Sequence, residues 1–100
     1  MITSLGRFDK LDSSSIRGLE SERDFIRDTL EVLRATGEIS NDAFLDAGTI
    51  QGGLTLILNL ISQGIAEAEA NGQLNSLKER AESLNETYPG LDNKVESLRK

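Results

Sequence analysis

The sequence predicts an all-α fold, a small three- to four-helix bundle or helical hairpin preceded by a short N-terminal arm, and three observations carry that prediction. Apolar residues recur at helical spacing over residues 16–33 and again over 54–68. Leu74, Leu77, Ala81, Leu84, Tyr88, Leu91, Val95 and Leu98 follow one another at alternating steps of three and four, a seam of heptad type. Leu54, Leu56, Leu58 and Leu60 also alternate as a strand would, but no other stretch offers a strand to pair with them.

Residues 1–12 scatter Ile2, Leu5, Phe8 and Leu11 among Gly6 and charges, the pattern of an arm with apolar anchors; residues 13–100 read as a single helical domain. Asp12 to Ser15 supply side-chain acceptors for the free amides of a first turn, so a helix is expected over about 14–36. Its stripe is Ile16, Leu19, Ile26, Leu30 and Leu33, and Gly37 stands where a left-handed cap ends it. Arg23 interrupts the stripe. It either pairs with a carboxylate on a neighbouring or partner helix, or lays its aliphatic stem along the core edge with its charge in water.

Ser40, Asn41 and Asp42 cap a second helix over 41–47. Gly48, Gly52 and Gly53 each cost about 1 kcal/mol relative to alanine inside a helix, which predicts a break or kink there, with Thr49 able to cap the resumed helix over 50–70. In that stretch Leu54, Ile57, Leu58, Ile61, Ile65 and Ala68 share a face flanked by Leu56 and Leu60. A helix apolar over most of its girth must be covered on several sides, by two other helices or by a partner chain. Its uninterrupted apolar run, about eight residues, is short of the roughly 20 that span a membrane. Asn71-Gly72 marks a stop or turn, a third helix runs over 73–87, Pro89-Gly90 interrupts it, and a last one covers 91–99.

Composition narrows the function classes. The chain contains no His and no Cys, which removes the commonest general base, the commonest transition-metal ligand and any disulfide or thiolate site. Catalysis is therefore not expected, nor is a metal or other cofactor. The net charge of −6 repels phosphate backbones and argues against direct nucleic-acid binding. Charges within the first twelve residues break up any secretion signal, and a cytoplasmic location is expected.

The chemistry-bearing patterns are sparse. Asp24/Asp28, Asp42/Asp46 and Glu82/Glu86 are carboxylate pairs one helical turn apart, the ordinary surface of an acidic helix, and no calcium-loop pattern surrounds them. The G-x-x-x-G of Gly48 and Gly52 lacks the lysine of a phosphate loop; it reads either as a place where another backbone approaches closely or as a plain loop. Asn85-Glu86-Thr87 matches a glycosylation sequon without the secretion signal that would give it meaning. What remains is protein recognition. The expected role is a non-enzymatic interaction module that self-associates through helices and acts as an assembly component, with Arg23, Leu77, Leu84, Tyr88, Leu91, Val95 and Leu98 as its candidate contacts. The alternative is a small acidic monomer, an inhibitor, immunity-type protein or adaptor, whose carboxylates cover a basic surface of a target protein.

Overall fold

The computed structural model describes residues 1–99 and contains helices throughout, as expected. Helix α1 spans Ile2–Leu5, a 3₁₀ turn covers Ser13–Ser15, and α2 (Ile16–Ala35), α3 (Asn41–Ser62), α4 (Glu67–Thr87) and α5 (Leu91–Glu96) follow. Helices α2 and α3 form the main packed pair, α4 lies on α3, and α1 and α5 close the bundle by packing on each other and against α4 and α2.

Local chemistry sets most of the boundaries. The Asp12 carboxylate accepts from the Ser14 amide, and in return the Asp12 amide donates to the Ser15 hydroxyl. Gly37 sits at φ +75°, with Glu38 N–H donating to the Leu33 carbonyl and Gly37 N–H to Arg34, so a Schellman motif ends α2. The Ser40 hydroxyl accepts from the Ala43 amide and starts α3.

Three expected boundaries are corrected. Helix α3 runs unbroken through Gly48, Gly52 and Gly53, because Ala43, Ala47, Ile50, Leu54, Ile57 and Leu58 form one buried stripe that outweighs the glycine cost. Thr49 caps nothing; its hydroxyl donates back to the Asp46 carbonyl at 2.7 Å. The expected helix over 50–70 ends instead at Ser62, where Gly64 (φ +75°) and the bond from Ile65 N–H to Leu60 O repeat the Schellman motif of α2. Asn71-Gly72 makes no stop. Asn71 lies inside α4, where its amide side chain donates to the Glu67 carbonyl and accepts from Leu11 N–H, both at 2.8 Å. This anchors the arm to α4, and Met1, Leu5 and Leu11 are buried in the core.

Because α3 is continuous, its 22 residues, of mean hydropathy 1.3 over the best 18-residue window, are long and apolar enough to cross a membrane by length and composition. In this fold α3 packs between α2 and α4 with one side turned outward.

Candidate functional site

The structure distributes the seven candidate contacts unevenly. Leu77, Leu91 and Val95 are buried in the chain's own core, and Leu84 and Tyr88 pack partly buried against it. As far as Val95 the heptad-type seam is thus filled internally: α4 spends it on α3, and α5 folds back on α2 and α1. Leu98 is exposed beside Val32 of α2, in a shallow depression also lined by Asp28 and Thr29. Arg23 keeps its stem at the core edge and pairs with the adjacent Asp24 at 3.1 Å.

Tyr88 borders a cleft of about 240 Å³ between the α2–α3 and α4–α5 connections, with Ile39, Ser40, Pro89 and Lys94. Its hydroxyl donates to the Asp46 carboxylate, and this bond raises the phenol's pKa above the ordinary value. Lys94 closes the cleft by donating to the Glu38 carbonyl at 2.7 Å. Asn85, the sequon residue, accepts from the Asp92 amide at 3.0 Å and so tethers the start of α5 to α4.

The buried charged residue of α2 is Glu22, 6% exposed, which sequence reasoning missed in favour of its neighbour Arg23. Both stand between Leu19 and Ile26; nothing in the local pattern says which one turns inward. The Arg99 guanidinium reaches both Glu22 oxygens, at 2.8 and 2.9 Å, and also Glu96 at 2.7 Å, while its Cζ lies 4.0 Å from the Phe25 ring centroid. Arg7 also approaches Glu22 Oε1 at 3.2 Å, and the Ser4 hydroxyl accepts from Arg99 at 2.9 Å. Asp92 completes this clamp, accepting from the Met1 ammonium at 2.6 Å and from both the amide and hydroxyl of Thr3.

The clamp makes stability acid-sensitive. Burial by itself would raise the Asp92 pKa, but the bonds from the Met1 ammonium and Thr3 outweigh it and hold the carboxyl below its usual range. The Arg99 bond does the same for Glu96. Depressed folded-state values mean stability that is present above the unfolded carboxylate values of about 4 and is lost as pH falls through and below them. The urea midpoint is expected to drop from pH 5 to pH 3, and the drop is expected to be smaller in Asp92→Asn. Identical pH profiles for the two proteins would contradict this account.

The remaining surface feature is the outward side of α3. Leu45, Thr49, Gly52, Leu56 and Asn59 lie along one exposed stripe, with Leu45 60% and Leu56 50% exposed, two of the four large apolar residues that stand well out of the core. The helix contains no Lys or Arg, and its acids, Asp42 and Asp46, both lie near its start. A Cβ added at Gly48 or Gly52 would meet nothing within 4 Å, whereas Gly53, one residue on, is roofed by Leu77 of α4. The glycines therefore have two explanations: Gly53 is required by packing within the chain, while Gly48 and Gly52 leave open space above the helix backbone.

The carboxylate pairs belong to the surface. Asp24 and Asp28 share Arg27, and Asp46 accepts from Tyr88. Among the described residues no three acidic side chains converge as a metal site would need. No protein-family model matches the chain, and no curated protein or solved structure matches it.

Proposed function

We propose that this chain is a non-enzymatic protein–protein interaction module, acting as a structural or assembly component, and that the outward stripe of α3 is its contact surface. The observation that carries the reading is the exposure of Leu45 and Leu56 on one face of a helix that has no basic residue and whose outer glycines serve no packing need within the chain. Apolar side chains left in water on the same stripe gain free energy when covered, about 25 cal/mol per Å² of apolar area removed from solvent. The candidate contacts of the heptad-type seam do not supply this surface, since Leu77, Leu91 and Val95 would have to leave the core to do so.

The acidic-adaptor reading rests on α4, whose exposed Glu67, Glu69, Glu79, Glu82 and Glu86 outnumber the exposed Arg80. The charged face of α2 contributes less, because Arg23 and Arg27 pair with Asp24 and Asp28.

Photo-crosslinking separates the two surfaces. Benzoylphenylalanine placed at position 49 on the α3 stripe is expected to join the chain in cells to one protein of defined mass, and the same group at the exposed position 75 on α4 is not. Leu56→Asp should abolish the adduct while leaving the circular dichroism unchanged. An adduct formed from position 75 and weakened steeply by salt would favour the acidic-adaptor reading; none from either position would overturn both.

A further inference from the structure

Resting on that reading of the α3 face, we infer that its partner is a second copy of this chain, docked antiparallel across the stripe. With exposed Asp42 at its head, the spacing along the stripe is its own mirror image: Asp42, Leu45, Thr49, Gly52, Leu56 and Asn59 follow at steps of three, four, three, four and three. An antiparallel pair centred between Ile50 and Gln51 sets Leu45 of one copy beside Leu56 of the other, and Thr49 beside Gly52, at both ends of a two-fold contact. An isologous interface requires this self-complementarity.

Charge selects both the partner and the direction. Each copy carries a net charge of −6, so two copies repel over most of their surface, and the α3 stripe is a place where they can meet without facing carboxylates. Parallel docking would bring Asp42 and Asp46 of one copy against the same residues of the other. Antiparallel docking sets Asp42 opposite Asn59 and Asp46 opposite Thr55, both uncharged. A basic partner finds few counter-charges here, and an acidic one gains nothing over a second copy.

The open backbone at Gly52 permits close approach. Thr49 from the other copy can settle over a position where a Cβ would meet nothing in the isolated chain. The contact is one helix wide, which places it in the small, weak class of interfaces, so association depends on concentration. Purified full-length chain is expected to shift from the mass of one copy towards that of two between about 20 µM and about 1 mM, the range suited to an interface of that class.

Orientation is read with single cysteines, which report cleanly because the chain has none of its own. Asp42→Cys mixed with Asn59→Cys is expected to give several-fold more covalent dimer with a short bismaleimide than either variant alone. In the antiparallel pair, position 42 lies close to position 59 of the other copy but about 25 Å along the axis from its own counterpart. Gly52→Ala is expected to raise resistance to urea while weakening association several-fold. Gly72→Ala, another helical glycine with open space above it, should raise the resistance alone.

Several outcomes overturn the inference: the mass of one copy at both concentrations, cross-linking of Asp42→Cys with itself, association untouched by Gly52→Ala and Leu56→Asp, or a single copy that floats with neutral phosphatidylcholine vesicles. A single copy that still captures a different protein through position 49 would end the self-association inference and leave the interaction module standing. A single copy that captures nothing would end both.

Discussion

Arg99→Met is expected to destabilise the fold by about 2–4 kcal/mol, roughly 10–25 °C in melting temperature for a chain of this size. The reason is what the substitution leaves behind. Glu22 is 6% exposed, and Arg99 covers both of its oxygens with charge-assisted bonds at 2.8 and 2.9 Å. Methionine preserves the stem and much of the contact with Phe25, so the loss comes from a carboxylate held out of water with one partner removed. Arg7 remains at 3.2 Å, but its side chain is 53% exposed and monodentate, which keeps the cost below that of a wholly isolated charge without cancelling it. The adjacent bonds fail with it: Ser4 loses a donor and Glu96 loses its cation, so the arm should loosen from α5.

The control is Glu22→Gln in the same background. Removing the stranded charge should recover about half of the loss, because the penalty belongs to the unpaired carboxylate rather than to the absent guanidinium. Urea unfolding of the wild type, both single variants and the double variant measures the coupling. Strictly additive losses would mean that Glu22 and Arg99 do not act as a unit.

The helical class was legible because it rests on periodicity, which depends on little besides which side of each segment meets the core. The α2 stripe, its glycine stop, the Ser40 cap and the Pro89-Gly90 break all depend on residues close together in sequence, and the structure contains each of them. The glycines of α3 misled for the opposite reason. A glycine's local cost is readable from sequence, but the stripe from Ala43 to Leu58 that outweighs it is stabilised by α2 and α4, which sequence neighbours do not reveal. Asn71 is a similar case. Its preference for turns is overridden by a bond to Leu11, sixty residues away.

The candidate contacts fared differently because a heptad-type seam states only that a helix face will be covered. It does not state by whom. Leu74, Leu77 and Ala81 pack within the chain, and Leu91 and Val95 are covered by the fold that the Pro89-Gly90 turn creates. The α3 stripe is not legible in the sequence, where Leu56 reads as a flank of an apolar helix and Leu45 lies across the expected break. Only once α3 is continuous do the two leucines fall on one line.

The same continuity yields a sharp contrast between neighbouring residues. Gly53→Ala is expected to destabilise the fold by about 1–2 kcal/mol, while Gly52→Ala is expected to stabilise it by about 0.5–1 kcal/mol. Both substitutions remove the same backbone freedom from the unfolded chain and both improve helix propensity, so the difference lies wholly in what each new methyl meets. At position 53 it would stand 2.9 Å from Leu77 Cδ1, nearer still to Cδ2, and 3.1 Å from Cγ. Leu77 is itself buried, so it can yield only by leaving its rotamer or by pushing α4 away from α3. At position 52 the methyl meets nothing within the chain. Leu77→Ala supplies the test. Alone it should cost about 2–5 kcal/mol through lost burial and a cavity, and in the Gly53→Ala background it should cost about 1–2 kcal/mol less, because the new methyl occupies part of the space that Leu77 vacates. Equal costs in the two backgrounds would mean that α3 and α4 do not meet at Gly53 and Leu77, and a Gly52→Ala variant as unstable as Gly53→Ala would mean that α3 does not turn its Leu45–Leu56 face to the outside.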